Sequence, residues 1–289
     1  MDEFVPMETI GQMTETKEPT RNVPAKNAAT SRRNNSATTN RSGRWAIVAT
    51  LLLAVGPMAY TATRREISRW YQAASLDAAY SNDRAGSLEK ITKALEWNPG
   101  DPNLSISEVG ALLRLGQADK AASVSDAWLE RVEKRYAMMP TESNEFELAI
   151  ALNQSAYSHA LAKTNLEQAL KNVERSIRLQ GGSPSGSIDT RGYLHYLLGN
   201  IEQAVKDTEL AVAGYQAVLR ELKTIDRQNA QFSVDKTPHE YRKKEQNESH
   251  AVLLHHRGLA YEAAGRAEEA AEDFEKAEEL GYDPANGVW

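Results

Sequence analysis

The chain has 289 residues, of which 41% are hydrophobic and 26% charged, and it contains no cysteine. These fractions favour a folded domain over a polytopic membrane protein, and the lack of cysteine excludes disulfides, thiolate metal sites and a cysteine nucleophile. The net charge of −6 arises beyond the N-terminal tail, so the acidic remainder argues against nucleic acid as the main ligand.

Residues 1–43 form the first predicted segment. They are rich in Thr, Asn, Ser, Pro and Arg, contain few large apolar residues, and show neither a helical nor a strand period. Such a segment cannot bury enough apolar surface to offset the entropy lost on ordering. We therefore predict a disordered tail over 1–43.

An uncharged stretch of 19 residues, WAIVATLLLAVGPMAYTAT, follows at 45–63. As a helix it would extend about 28 Å, which is enough for the hydrocarbon core of a bilayer. Arg44 precedes it, and Arg64 and Arg65 follow it. The pattern predicts a single transmembrane helix at residues 44–64.

Two other interpretations of this stretch stay open. Small residues at 59–62 fit the cleavage site of a signal peptide, although the leader before the stretch is unusually long. A buried core helix is disfavoured by the tail and by the flanking charges. The basic residues on the two sides are nearly balanced, so the positive-inside rule does not decide the orientation. Since a single N-terminal span with a basic leader more often leaves its tail in the cytoplasm, we expect the folded part to be extracytoplasmic.

From Ser68 onward the sequence predicts successive helices in which small residues recur at fixed spacing. The fullest set is Gly258, Tyr261, Gly265, Ala270, Phe274, Ala277 and Pro284, and the same offsets recur at Gly192, Gly199, Ala204 and Ala211. The first small residue lets two helices approach closely, and the second glycine ends the first helix in a conformation that costs other residues more. The alanine that follows lets the second helix cross at short distance.

This spacing resembles the tetratricopeptide repeat (TPR), a helix–turn–helix unit of about 34 residues. The clearest units are at 189–211 and 252–284, and weaker ones are at 152–179, 101–131 and 70–99. Two of the weaker units lack glycines of the pattern: Val109 replaces one in 101–131, and Ser75 and Asn82 replace both in 70–99. The resemblance implies an all-α, tetratricopeptide-type helical-hairpin solenoid of about five helix pairs, over residues 68–289, after the single N-terminal transmembrane helix.

Two departures from a regular array are also predicted. One helix runs from Ala118 to about Ala137, and the next begins near Glu142. Residues 213–250 form an insertion in which the helix through Ala211 is lengthened, a loop covers 231–237, and the last long helix begins near Pro238.

No motif in the chain predicts catalysis or a cofactor. GxxxxGK[ST], GxGxxG and HExxH are absent from the sequence. His255 and His256 are neighbours, which point about 100° apart on a helix and suit one metal ion poorly. Residues 181–186 are rich in glycine but lack the lysine of a phosphate loop. We therefore expect no enzyme, no cofactor and no metal site.

The resemblance implies that side chains of the first helix of each pair line a groove for partner proteins or peptides. The corresponding positions are Gln72, Tyr80, Arg114, His159, Tyr193, Tyr196, His255 and Glu262. Tyr193 and Tyr196 share one helix face, where they could bind a partner or pack against the neighbouring unit. Some family members bind the C-terminal carboxylate of chaperones with a set of Lys and Asn side chains in the groove. Gln72 and Leu76 occupy the corresponding positions here, so chaperone binding of this kind is not expected.

The sequence thus predicts a single-pass membrane protein that binds partner proteins through a helical-repeat groove. The alternative is an architectural membrane protein that forms homo-oligomers through its long helices. The identity of the partners is not specified by the sequence.

Overall fold

The computed structural model describes residues 41–182, 184–229 and 237–282, and for 41–55, 225–229 and 237–242 it describes the helical backbone alone. The chain divides into two units, 1–53 and 54–289. The described residues form ten helices: α1 (Arg41–Tyr80), α2 (Arg84–Trp97), α3 (Pro102–Arg114), α4 (Ala118–Met138), α5 (Glu142–Ala162), α6 (Leu166–Gln180), α7 (Ser185–Leu197), α8 (Ile201–Asn229), α9 (Thr237–Ala263) and α10 (Ala267–Glu279). The predicted tail at 1–43 lies outside the described residues, apart from the first residues of α1.

Consecutive helices pack as hairpins, and the hairpins stack in chain order. From α2 to α10, each helix contacts the next one along the chain. In addition α3 contacts α5, α5 contacts α7 and α7 contacts α9. The odd-numbered helices therefore form one layer and the even-numbered helices pack on its outer side. The predicted all-α array of helical hairpins is confirmed.

The turn inside each hairpin uses a left-handed residue, as the glycine spacing predicts. Gly116, Gly199 and Gly265 have φ of 67°, 78° and 77°, a conformation that is easiest without a Cβ atom. In the first hairpin Asn82 takes this place at φ 59°, which fits the tolerance of Asn for left-handed backbone. The substitution of Asn for Gly therefore preserves the turn.

Small residues lie where the two helices of a hairpin come closest. A Cβ atom built on Gly192 would lie 2.8 Å from Thr208 Cγ2, and one on Gly258 would lie 2.6 Å from the ring of Phe274. The alanines of the second helices, such as Ala204, are completely buried. The predicted close approach at the first glycine of each clear unit is confirmed.

Serine hydroxyls hold the first hairpin together at the equivalent places. Ser75 Oγ donates to the carbonyl oxygen of Ser87 at 2.9 Å. Two turns earlier on α1, Ser68 Oγ donates to the carbonyl oxygen of Ala94, also at 2.9 Å. All three serines are buried. Hydrogen bonds thus accompany close packing where the glycine is missing.

Two hairpins each contain an arginine–aspartate pair that was not predicted from the sequence. Arg191 holds both carboxylate oxygens of Asp207 at 2.7 Å, and Arg257 holds those of Asp273 in the same way. In each hairpin the arginine directly precedes the close-packed glycine. This bidentate geometry links the first helix to the second with directional contacts.

The lengthened helices occur where the sequence predicts them. α4 ends at Met138 and α5 begins at Glu142, and each has 21 residues, against 14 in α2 and 13 in α3. α8 has 29 residues and α9, which begins at Thr237, has 27. The predicted loop between them lies outside the described residues, except for Thr237.

In the part of the chain whose side chains are described, none of the helices combines the length and apolar character needed to span a bilayer. The predicted span at 44–64 falls on α1. Its residues up to 55 belong to the stretch for which only the backbone is described.

Candidate partner-binding site

A cleft lies between the first hairpins and the long last odd helix. Its walls come from α1, α2 and α3 on one side and from the first half of α9 on the other, and it encloses about 130 Å³. The lining consists of Leu76, Ala79, Tyr80, Asn82, Arg84, Ser87, Ala111, Arg114, Lys244, Glu245 and Glu248. We refer to these residues as the α1–α9 cleft.

The α1–α9 cleft combines an apolar rim with charges of both signs. Leu76 is 49% exposed at the rim. Arg114 Nη2 lies 3.8 Å from Glu248 Oε2, a contact that joins α3 to α9. Burial lowers the pKa of Arg114, and the carboxylates of Glu248 and Glu245 oppose that shift. The guanidinium is therefore a partly desolvated cation close to acidic groups.

Two of the predicted groove residues meet in this cleft. Tyr80, at the end of α1, and Arg114, at the end of α3, both line it. Gln72 is half-buried on α1 and is not part of the lining, and Glu262 is exposed near the end of α9. The assignment of these four to partner binding remains a prediction.

Tyr193 and Tyr196 lie together on α7, with their rings stacked at 6.1 Å between centroids. The ring of Tyr193 also stacks on that of His256 in α9, at 4.2 Å. Burial, with smaller contributions from Tyr196 and Asp189, raises the pKa of Tyr193 to about 12. Tyr193 therefore packs against the neighbouring odd helix, which is the second of the two interpretations that the sequence leaves open.

A buried polar pair lies beside these rings and escaped the sequence analysis. His256 Nδ1 is 2.8 Å from Asp189 Oδ2, and the two residues are 1% and 4% exposed. The hydroxyl of Tyr157 is buried nearby without a hydrogen-bond partner, and burial raises its pKa well above the usual value. Asp189 and His256 are 67 residues apart in the chain, and their contact joins α7 to α9.

The other two predicted groove residues contact the protein itself. His159 is 8% exposed, with Nε2 3.0 Å from Asp126 Oδ2 on α4 and Nδ1 2.9 Å from Thr164 Oγ1. The ring of His255 stacks on that of Tyr282 at 4.0 Å. The structure thus brings Tyr80 near Arg114 and Tyr193 near Tyr196, and it places both histidines away from the cleft.

His255 should make the stability of the fold depend on pH. Burial, and to a lesser extent His256, lowers its pKa to about 4. Because the unfolded chain then binds the proton more readily, the contribution is present above about pH 6.5 and is lost as the pH falls toward 4. Between about pH 7 and pH 4.5 we expect His255→Phe, which retains an aromatic ring, to lose less stability than the natural chain. The difference should be on the order of 1–2 kcal/mol, since the ring is partly exposed.

Thermal unfolding of both proteins at the two pH values measures this difference. An identical decline in the two chains would show that His255 is not the group that titrates.

Within the described residues, no group of three or more His, Asp or Glu side chains is arranged to hold a metal ion. No family model matches the sequence, and no curated protein matches it.

The structure is similar to several solved proteins. One is a TPR protein of Thermus thermophilus, with 18% identity and a TM-score of 0.45 over 74% of this chain and 91% of that one. BtubC from P. vanneervenii has 19% identity and a TM-score of 0.44 over 84% and 91%. MamA from Desulfovibrio magneticus RS-1 has 15% identity and a TM-score of 0.41 over 74% and 94%. Such values carry no argument about function, and the hairpin array rests on the chain's own helix contacts.

Proposed function

We propose that this protein is a membrane-anchored scaffold that holds a segment of a partner protein in the α1–α9 cleft. The observation that supports the proposal is the cleft itself, in which Tyr80 and Arg114 of the first hairpins face acidic and basic side chains of α9. Tyrosine and arginine, together with tryptophan, are the residue types enriched among those that carry most of the binding energy at protein interfaces.

The composition of the cleft favours a peptide segment with apolar and charged residues. Leu76 offers apolar area at the rim and the ring of Tyr80 lines the cleft. Arg114, Lys244, Glu245 and Glu248 offer both signs of charge. A peptide carrying one large apolar side chain and a nearby charged one could use both parts. Because Arg114 is partly desolvated, a carboxylate that approaches it would interact more strongly than it would in bulk water.

The anchor in this proposal is the apolar stretch at 45–63, with arginines on both sides. Its length fits the hydrocarbon core of a bilayer, and it directly precedes the part of α1 that leads into the first hairpin. We further propose that the repeat part lies outside the cytoplasm, as the basic leader suggests. The scaffold would then bring its partner to the membrane surface.

Site-specific crosslinking in membranes tests the binding site. With a photoreactive benzoylphenylalanine in place of Leu76, at the rim, we expect a discrete adduct with a partner protein. The matched control carries the same group in place of Leu210, which is similarly exposed at 44% but lies on α8, a helix that contributes no residue to the lining of the cleft. The Leu210 variant should give no such adduct.

The mass of the adduct separates the scaffold from its alternative. An adduct with a second copy of the chain would favour an architectural homo-oligomer. Equal adducts from both positions would show that the cleft has no special role.

A further inference from the structure

In a stack of hairpins the turns alternate between two opposite edges. The turns inside the hairpins lie on one edge, and the first two connections between hairpins, at 98–101 and 139–141, lie on the other. We call the part of this second edge around these two connections, with the helix ends that adjoin them, the connection edge. The end of the apolar stretch, residues 54–63, belongs to the same unit of the fold as this edge, 54–289.

Arg64 ties the connection edge to the end of the apolar stretch. Its Nε donates to the carbonyl oxygen of Trp97 at 2.9 Å, and its Nη2 donates to that of Glu96 at 3.0 Å. A cation at this place suits the negative end of the α2 dipole. Because Arg64 is the first charged residue after 45–63, these bonds hold the end of α2 level with the end of the apolar stretch.

Exposed apolar side chains gather at this edge. Trp97 is 36% exposed beside Arg64, and on α1 just before Arg64 Tyr60 is 61% exposed. Around the next connection, at 139–141, Met138, Met139 and Phe146 are 81%, 58% and 62% exposed. Large apolar side chains exposed together mark a surface that contacts something else.

The extra length of α4 and α5 makes the second group protrude. Each helix is at least seven residues longer than its counterpart in the preceding hairpin. At 1.5 Å per residue the seven additional residues of α4 amount to about 10 Å of helix, which ends at Met138, and Phe146 lies in the second turn of α5.

Most of the charges near this protruding tip are paired with one another and lie behind it, whereas Glu142, in the first turn of α5, is exposed. Tyr136 Oη donates to Glu145 at 3.0 Å, and Arg135 pairs with Glu147 at 2.6 Å. Lys134 pairs with Glu130, one turn farther back, at 2.6 Å. A tip whose foremost side chains are methionines, with most of the nearby charges paired behind them, can enter an apolar medium at a lower desolvation cost than a tip of unpaired charges.

We propose that the connection edge lies against the lipid surface, with Trp97 at the headgroup level and Met138 and Met139 inserted among the acyl chains. This inference rests on the proposed anchor at 45–63, since the anchor places Arg64 at the membrane boundary. Trp prefers that boundary because its ring is apolar and its N–H is polar. A lipid surface fits a convex tip, because lipids, unlike a protein partner, need no preformed complementary hollow.

The natural absence of cysteine allows a direct test in the full chain. Single-cysteine variants Met138→Cys, Leu210→Cys and Ala54→Cys, each carrying a nitroxide label, are reconstituted in phosphatidylcholine–phosphatidylglycerol vesicles. Collisions of the label with oxygen, which concentrates in lipid, are compared with collisions with a water-soluble nickel chelate. We expect the Met138 label to show loss of nickel collisions and a rise in oxygen collisions relative to the Leu210 label. Ala54, at the middle of the apolar stretch, reports on the anchor alone, and circular dichroism of each variant confirms that the fold is retained.

The three labels separate failure of this inference from failure of the anchor. If the Ala54 label is in lipid while the Met138 label behaves like the Leu210 label, the inference is overturned and the anchor stands. If the Ala54 label is in water and the Met138 label is in lipid, the anchor is overturned, and the lipid contact of the connection edge is supported. If both are in water, both proposals are overturned. A Met138 label that is shielded from oxygen and nickel alike would indicate a protein contact, which also overturns the inference.

Discussion

Replacing Asp189 with alanine is expected to lower the free energy of unfolding by about 3 kcal/mol. The substitution leaves the ring nitrogen of His256, which is 1% exposed, without the oxygen that lies 2.8 Å away. An orphaned buried hydrogen-bonding group costs up to about 3 kcal/mol, and a broken buried ion pair costs from about 3 kcal/mol upward, so the expected value lies where the two ranges meet. Denaturant titration of the purified chain, followed by helical circular dichroism, measures the loss.

A second aspartate–histidine pair provides the matched control. Asp126 Oδ2 also lies against a histidine, 3.0 Å from His159 Nε2, and its Oδ1 accepts from Ser155 Oγ at 2.7 Å, but its side chain is 50% exposed. Since water can reach the space that Asp126 leaves and replace it as the partner of both groups, Asp126→Ala should cost less than Asp189→Ala, on the order of 1 kcal/mol. Asp189→Asn, which retains an acceptor oxygen, should cost less than Asp189→Ala. Equal losses from the two alanine variants would contradict the role of burial.

Gly192→Ala is expected to destabilise the fold by about 1–3 kcal/mol. The added Cβ atom would lie 2.8 Å from Thr208 Cγ2 and 3.1 Å from the backbone nitrogen of Thr208. The backbone atom can yield only if α7 and α8 move apart. This separation would also disturb the buried contacts on both sides of the hairpin. Thermal and denaturant unfolding of the variant measure the cost.

The same substitution at Gly110 should have the opposite sign. Gly110 lies in the interior of α3, and a Cβ atom there would meet no atom within 4 Å. Alanine is favoured over glycine in a helix by about 1 kcal/mol, so Gly110→Ala should raise stability by up to that amount. If both variants lost stability equally, the close approach at Gly192 would not be the cause of its loss.

The hairpins could be predicted from the sequence because their signals are local. Gly199 and Gly265 end helices through their own backbone conformation, and Gly192 and Gly258 contact helices that follow within about twenty residues. Each signal recurs at the same offset, which fixes the register of successive hairpins. The ends of the lengthened helices were predictable for the same reason.

The contacts between hairpins were less predictable. Asp189 and His256 meet only because α7 stacks on α9, and no short-range pattern specifies which polar residues will face each other there. Equivalent positions in the first helices place Tyr193 on the same face as Tyr196, but they did not reveal that His256 of α9 stacks on the ring of Tyr193. An arginine directly precedes both Gly192 and Gly258, and an aspartate follows each arginine by sixteen residues. This repeated spacing was the one sequence signal that indicates the two arginine–aspartate pairs.

The serine contacts of the first hairpin have a consequence for where this hairpin can remain folded. Apolar packing between helices draws its strength from the exclusion of water, so it weakens when hydrocarbon replaces water as the surroundings. A hydroxyl–carbonyl bond such as that from Ser68 to Ala94 instead strengthens as the local dielectric constant falls. Ser75 and Ser87 add a second bond of this kind. The pairing of α1 with α2 can therefore persist both in water and in hydrocarbon. This property suits α1, which also carries the apolar stretch at 45–63.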